Sequence, residues 1–401
     1  MSMLQGIRVV DFTQYLAGPT VTRLMAEMGA DVVKVEQAPG GDPSRLLPLR
    51  IGERSLYYIQ QNRGKKSVCI DFAKPEATRL LADLAAGADV VVENYGPGVL
   101  EKRGLDYGSL AKRNPRLIMA SISAFGRTGP LSHKVGFDLI AQAFSGLMSM
   151  TGEPDRPPMW VGLAIADVQS GVHAFGAIGY ALFYRERTGK GQYIDVSMVD
   201  ALYHCHEGNV QFFANSGGAV EPTRHGAQHG MAGPMGVYKA PQGWIVLLVL
   251  DRQWENFCRA LDRPELASDP RFSTGALRGQ NKVELTAIIE AWLARQPSDS
   301  AALEVFEQHR VAAAPVLTVK DTVSHPYFSA RDMVRRVPDP VLGEVTIPGF
   351  PFKFGALPEL PVLRAPLLGE HNALVLRERL GLAESRIADL TSAGVLVSGV
   401  T

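Results

Sequence analysis

The chain has 401 residues, 46% of them hydrophobic, and its 41 Lys+Arg balance 41 Asp+Glu. That length holds two domains or one large elaborated domain, and that apolar share excludes a disordered chain. The even charge balance gives no field favouring nucleic acid or an anionic membrane, and no apolar run reaches the ~20 residues of a membrane span without Gly or polar breaks.

The N-terminal MSMLQGIRVVDF lacks the basic segment, apolar core and cleavage site of a secretory leader, so a soluble cytoplasmic enzyme is expected. Cys69, Cys205 and Cys258 are far apart and form neither a disulfide framework nor a metal-ligand spacing.

Residues 7–12 (IRVVDF) read as a strand, followed by a turn-like TQYLAGPT. Val21, Leu24, Met25 and Met28 then share one helical face that Gly29 stops, and 31–36 (DVVKVE) is the next strand. This βαβ unit implies a parallel sheet with a right-handed crossover, but its first turn carries no GxGxxG, which argues against a nicotinamide enzyme. A Gly/Pro/Arg loop covers 38–52. Strands follow at 65–72, 89–94 and 116–123, with helices at 76–86 and 107–113 between them. The alternation predicts a large, open, doubly wound α/β domain.

After a Gly/Ser/Met-rich region at 130–160, an apolar approach ends on Asp167. Gly171, Ala174, Ala177 and Ala181 recur at close to helical spacing, Gly189 and Gly191 break the pattern, and 193–198 alternates like a strand. Asp167 is therefore expected at the start of a buried helix. It reads either as an N-cap or as a nucleophilic carboxylate whose charge the helix N-terminus stabilises. The two readings are compatible. Residues 198–215 read as one helix, on which His204 and His206, two apart, do not share a face, so no metal pair is expected.

A Gly/His-rich linker at 217–234 leads to a second, smaller α+β domain over 235–325. It holds a hairpin turning at 241–243, helical patterns at 253–262, 282–295 and 299–310, and a strand at 313–319. The remainder, 326–401, is Pro-rich to 367 and then helical at 372–380 and 384–392. With residues 1–215 it is expected to complete the large domain.

With these elements placed, nearly the whole chain resembles the class III (CaiB/BaiF) coenzyme A transferases, a family that includes formyl-CoA transferase. The resemblance rests on LQGIRVVDF with AGP (4–19), GADVVKVE (29–36), NRGKKS (62–67), ADVVVENYGPGVLEKRGL (88–105) and GRTGP (126–130). It continues through AD at 166–167, RTGKGQYIDVSMVDA (187–201), DPRF (269–272), AAPV (313–316) and LLGEHN (367–372). Each string is short, and their order and spacing carry the argument.

The resemblance implies an interlocked homodimer, each chain threaded through a ring made by the other. The active site lies between the large domain of one and the small domain of its partner. It implies transfer of CoA between two carboxylic acids with no permanently bound cofactor and no metal, Asp167 forming first an anhydride and then an aspartyl-CoA thioester. The amides of Val168 and Gln169 are candidates to stabilise charge there. The match places Tyr15, Leu16 and Ala17 beside the thiol arm, and Asn94, Tyr95, Lys102 and Arg103 near the adenine and phosphates. Lys65 and Lys134 are further candidates, against the alternative of ordinary solvated lysines. Formyl-CoA transferase has Gln where this chain has Leu16, and a basic residue where it has Gln37, so carboxylate specificity and one phosphate contact differ.

The acyl pocket is expected from 136–150, the loop HGAQHGMAGPMG at 225–236, and 14–16. Gln14, Tyr15, Arg45, His225, His229 and Gly230 suit a second carboxylate, whereas Phe137, Met148, Met150 and Met159 suit an apolar chain. A small dicarboxylate such as succinate is the preferred substrate. The racemase branch of the family needs a histidine where this chain has Phe137, and phenylalanine exchanges no protons. A racemase or isomerase, and a non-catalytic acyl-CoA binder, are the alternatives.

Overall fold

The structure, a computed structural model, describes residues 2–356 and 361–401. In chain order its elements begin β1 (Arg8–Phe12), α1 (Ala17–Glu27), β2 (Asp31–Gln37), β3 (Arg50–Ile51), β4 (Arg54–Ser55), α2 (Leu56–Asn62), β5 (Lys66–Ile70), α3 (Pro75–Ala86), β6 (Val90–Glu93) and α4 (Tyr107–Arg113). Next come β7 (Ile118–Ser123), α5 (Asp138–Phe144), α6 (Ile165–Thr188), β8 (Gln192–Ser197), α7 (Met198–Tyr203) and α8 (Asn209–Asn215). Then follow β9 (Met235–Lys239), β10 (Trp244–Leu248), α9 (Trp254–Ala260), α10 (Gly275–Gln280), α11 (Lys282–Leu293), α12 (Asp299–Gln308), β11 (Ala312–Pro315) and α13 (Val319–Ser324). The chain closes with α14 (Pro326–Ala330), β12 (Val334–Asp339), β13 (Gly343–Pro348), α15 (Asn372–Leu380) and α16 (Glu384–Ser392). Among the described residues no helix is long and apolar enough to cross a membrane.

One unit comprises Met1–Ser145, Gly162–Glu207 and Pro326–Thr401, and a second comprises Gly146–Val161 and Gly208–His325. In the first, six parallel strands lie in the order β5-β2-β1-β6-β7-β8. Val32, Val33, Val35 and Val90 to Val92 are buried on both faces, which is why these strands read as unbroken apolar runs. The chain leaves β1 toward β2 and β5, then returns to β6 on the other side. That reversal opens a crevice beyond the C-terminal ends of β1 and β6.

The core of this unit combines Phe12, Val35, Leu81 and Val91 with Val375, Leu376, Ile387 and Leu390 from α15 and α16. Each such side chain contributes about 1.5–3 kcal/mol. The C-terminal segment also covers the outer edge of β5. His371 N donates to Ser67 O at 2.9 Å, Cys69 N to Asn372 Oδ1 at 2.9 Å, and Val397 N to Cys69 O at 3.1 Å.

The second unit packs the antiparallel sheet β11-β10-β9 against α9 to α12. Tyr238, Ile245, Leu247, Phe257, Ile289, Trp292 and Phe306 form its core.

Three expectations need correction. Residues 198–215 form two helices, because after Tyr203 the chain tightens through Cys205 N to Leu202 O and restarts at Gly208. The stretch 325–367 contains the hairpin β12–β13, whose alternation its prolines concealed, although its residues 357–360 lie outside the described residues. The helix carrying Asp167 is buried along one face only. Ala166, Ser170, Gly171, Ala174, Ile178 and Ala181 are covered, while Tyr180 and Phe183 are 79% and 62% exposed.

Among the charged side chains buried in the first unit, Asp11, Lys34, Glu36, Asp42, Arg45 and Lys65 form one cluster beneath the strand ends. They pair as Lys65–Asp11 at 2.9 Å, Lys34–Asp42 at 2.8 Å and Arg45–Glu36 at 2.7 Å. Burial opposes the charge on Glu36, yet Arg45 and Lys34 hold its carboxyl at about 2 against an ordinary 4.5. The folded chain therefore binds fewer protons than the unfolded chain between those values, and it loses stability as the pH falls through them. Glu36→Gln, which strands Arg45, is expected to lower the unfolding free energy by about 3–5 kcal/mol in urea denaturation at neutral pH. A loss below about 1 kcal/mol would show that the pair is not a structural keystone.

Candidate functional site

The first turn of α6 is capped from outside. Its N-cap position is Ala164, which offers no side-chain oxygen. Asp138, the first residue of α5, takes that role: its Oδ1 accepts from Ala166 N at 2.7 Å and from Asp167 N at 3.3 Å. Its Oδ2 accepts from Gln142 Nε2 at 2.7 Å. Asp167 is thus the third residue of the helix and not its cap. The helix amides, expected to stabilise its charge, are occupied by another carboxylate. Val168 N is spent on Ala164 O at 3.1 Å, and Gln169 lies further inside the helical ladder, so neither amide is free to hold an oxyanion.

Burial first, and the negative Asp138 second, push the Asp167 carboxyl up to about 7. Tyr57 on α2 lies within electrostatic reach of Asp167, Asp42 and Asp138, and burial followed by these anions raises its phenol above the usual value. A poorly solvated carboxylate that ionises near neutrality is a reactive nucleophile, because desolvation raises the energy of the anion. Close packing brings it to the crevice. A Cβ added at Gly171 would lie 2.6 Å from Ala17 O, so only glycine lets α6 approach the first turn of α1 this closely.

The loop that precedes α1 is held one residue at a time. Asp11 Oδ1 accepts from Thr13 N at 2.8 Å, and Lys34 Nζ donates to Thr13 O at 2.8 Å. Asn94 clamps Gln14, accepting from its N at 2.8 Å and donating to its O at 2.9 Å. Asp42 Oδ1 accepts from Tyr15 N at 3.2 Å, which helps hold Tyr15 at φ +62°, a conformation that non-glycine residues seldom adopt. Beside this loop, at the ends of β1, β2 and β6, a cavity of about 240 Å³ is lined by Thr13, Gln14, residues 35–38 and 40–43, and Tyr95.

The structure thus gathers Gln14, Tyr15, Leu16, Ala17, Asn94 and Tyr95 at the strand ends. Lys102 and Lys134 are exposed, and Arg103 is half-buried over the Phe72 ring. Phe137 is 65% exposed on the residue before α5.

Two candidates are corrected. Lys65 has no exposed side chain; it donates to Asp11 Oδ2 and Asn62 Oδ1, both at 2.9 Å, so it is a core ion pair and not a phosphate ligand. Arg45 is equally committed, to Glu36 and to Tyr58 Oη, and has no group left for a substrate carboxylate.

In the second unit His229 N donates to Met235 O at 2.8 Å, and a side chain at Gly230 would collide with the His225 ring. Burial first, then Lys282 and His229, lower the His225 pKa, which favours a neutral ring over the charged anion ligand expected from the sequence. The sequence reading missed Asp138, Gln142 and Tyr57. Asp138 directly follows Phe137, which occupies the racemase histidine position. Selective labelling of aspartate carboxyls and 13C NMR should find Asp167 titrating near 7, and Asp138→Asn should move that midpoint downward by removing the neighbouring charge. An Asp167 midpoint near 4 would contradict the desolvated site.

Comparison with known proteins follows from this geometry. The family model for CoA-transferase family III matches residues 4–372. The chain is 36% identical to the succinyl-CoA:glutarate CoA-transferase of Mus musculus, over 99% of this chain and 91% of that one. It is 40% identical to the succinyl-CoA:mesaconate CoA-transferase of Haloarcula hispanica, over 94% and 96% of the two chains. The crystal structure of a CaiB/BaiF family protein from Brucella suis superposes with a TM-score of 0.83 at 36% identity, covering 94% of this chain and 99% of the other.

Proposed function

The chain belongs to CoA-transferase family III and is an acyl-CoA:carboxylate CoA-transferase, and from that premise we propose that Asp167 is its nucleophile and a small dicarboxylic acid its substrate. The observation that carries the first part is a half-buried, poorly solvated carboxyl, raised to about 7, on a helix whose free amides another aspartate caps.

The reaction balances in four steps. The Asp167 carboxylate attacks the thioester carbonyl of the donor acyl-CoA, the carbon–sulfur bond breaks, and CoA leaves as its thiolate from a mixed anhydride. The thiolate then attacks the Asp167 carbonyl, giving the aspartyl thioester and releasing the donor acid. The acceptor carboxylate attacks that thioester, rebuilding an anhydride and freeing the thiolate. The thiolate finally attacks the acceptor's carbonyl, which yields the new acyl-CoA and restores Asp167. No net proton or electron is transferred, and each hard exchange is divided into easier ones. The cavity beside Gln14 and Tyr95 suits part of the CoA chain, with the 13–17 loop directing the thiol toward α6. Tyr57, within electrostatic reach of Asp167, suits a hydrogen-bond donor to the acyl oxygen.

Dicarboxylate specificity is supported by the names of the two relatives, each of which pairs succinyl-CoA with a second diacid. The enzyme works as a cytoplasmic homodimer. The exposed apolar face of α6, with Val172, Tyr180, Phe183 and Tyr184, supports burial against a second copy.

Asp167→Asn is expected to reduce CoA exchange about a thousandfold or more, with a melting temperature unchanged or raised, because it removes a desolvated charge. Turnover near the wild-type rate would exclude Asp167 as nucleophile. In an exchange screen, succinyl-CoA should outperform acetyl-CoA and an aryl-CoA as donor, with diacids the best acceptors; preference for a long or aromatic monoacid would sink the dicarboxylate reading. Sedimentation should give about twice the chain mass at low concentration, and an active monomer would refute the dimer.

A further inference from the structure

We infer that Gln142 is a positioning residue for the transfer reaction: its side-chain amide pins Asp138 as the cap of α6, and so leaves Asp167 unbonded and aimed at the acyl carbonyl. This rests on Asp167 being the nucleophile.

Gln142 and Asp138 are four residues apart on α5, the spacing that stacks side chains on one helical face. Both are shielded from solvent, Gln142 completely. The Gln142 Nε2 group donates to Asp138 Oδ2 at 2.7 Å and to Leu163 O at 3.2 Å. One amide therefore ties α5 to the segment that leads into α6. Asp138 Oδ1 is left facing the amides of Ala166 and Asp167.

A helix that begins on Ala164 has no cap of its own. Without Asp138 in place, the carboxylate within closest reach of those amides is Asp167 itself, and capping would turn its oxygens away from substrate.

The charged surroundings are limited. Asp138 on α5 and Tyr57 on α2 interact with the Asp167 region. On α1, Arg23 pairs with Glu27 at 3.2 Å, and Glu27 with Arg63 at 2.7 Å. On β8, Asp195 accepts from Arg127 N at 2.9 Å, and on α7 Asp200 is exposed.

The test uses Gln142→Met, which keeps the length of the side chain and removes the donor, and Gln142→Asn, which keeps the amide but shortens its reach. Acyl-Asp167 is captured with hydroxylamine from the full-length enzyme and succinyl-CoA and quantified by mass spectrometry across pH. Hydrogen exchange at the amides of 166 and 167 is followed in parallel. Both variants should slow capture at pH 7 by about tenfold or more, with KM for the acyl-CoA within about twofold. They should expose both amides to faster exchange. They should also shift the pH midpoint of capture downward, because an Asp138 carboxylate no longer held by the amide turns away from Asp167 and repels it less.

A loss of rate from general destabilisation would not move that midpoint. Wild-type rate, midpoint and amide protection in whichever variant folds would overturn the role of Gln142. Capture of no acyl group at Asp167 in the unsubstituted enzyme would instead overturn the nucleophile reading, and this inference with it.

Discussion

Three carboxylates and three cations buried in the first unit set the shape of the crevice. Asp11, Glu36 and Asp42 balance Lys34, Arg45 and Lys65, so the cluster carries no net charge into the interior. Taking six charges out of water is unfavourable unless each finds a partner, and here the pairs share contacts across β1, β2, β5 and the loop after β2. The benefit is directional. The same groups that neutralise one another also grip the backbone of Thr13 and Tyr15, so the loop that borders the crevice is made rigid by electrostatics beneath it.

Asp167 is treated in the opposite way. The structure surrounds it with burial and a like charge, and gives the available amides to Asp138. Stability argues for letting an aspartate in the first helical turn bond its own helix. A cap supplied by a different helix relieves it of that duty and leaves its carboxylate without a helix amide to bond. The rigid loop and the unsatisfied carboxylate meet where Gly171 lets α6 close on Ala17.

Much of this was legible in the sequence. The strands of the parallel sheet are buried on both faces and read as unbroken valine and isoleucine runs, so their positions and the α/β class followed directly. α15 and α16 carried their own periodicity. What stayed hidden was short or non-local. α2 and α5 are seven residues each and follow loops rich in Gly and Pro, so neither is marked off in the sequence, yet they supply Tyr57, Asp138 and Gln142. The bond from Asp138 to the amides of α6 spans nearly thirty positions and leaves no local trace. Lys65 and Arg45 misled for a related reason: a basic residue in a polar motif looks the same whether it meets a phosphate or a buried carboxylate in the next strand.

The segment that covers β5 has a consequence for how the chain is made. Strand β5 leaves the ribosome well before the residues that shield its outer edge, 371–372 and 397, which follow about three hundred positions later. Until those residues are made the first unit presents an open edge of apolar strand, while the second unit, built largely from one continuous stretch, can form as soon as it appears. The nascent chain thus spends its most aggregation-prone interval with its parallel sheet unfinished. Chaperone demand should follow the time taken to translate residues 326–401 more closely than the final stability of the fold.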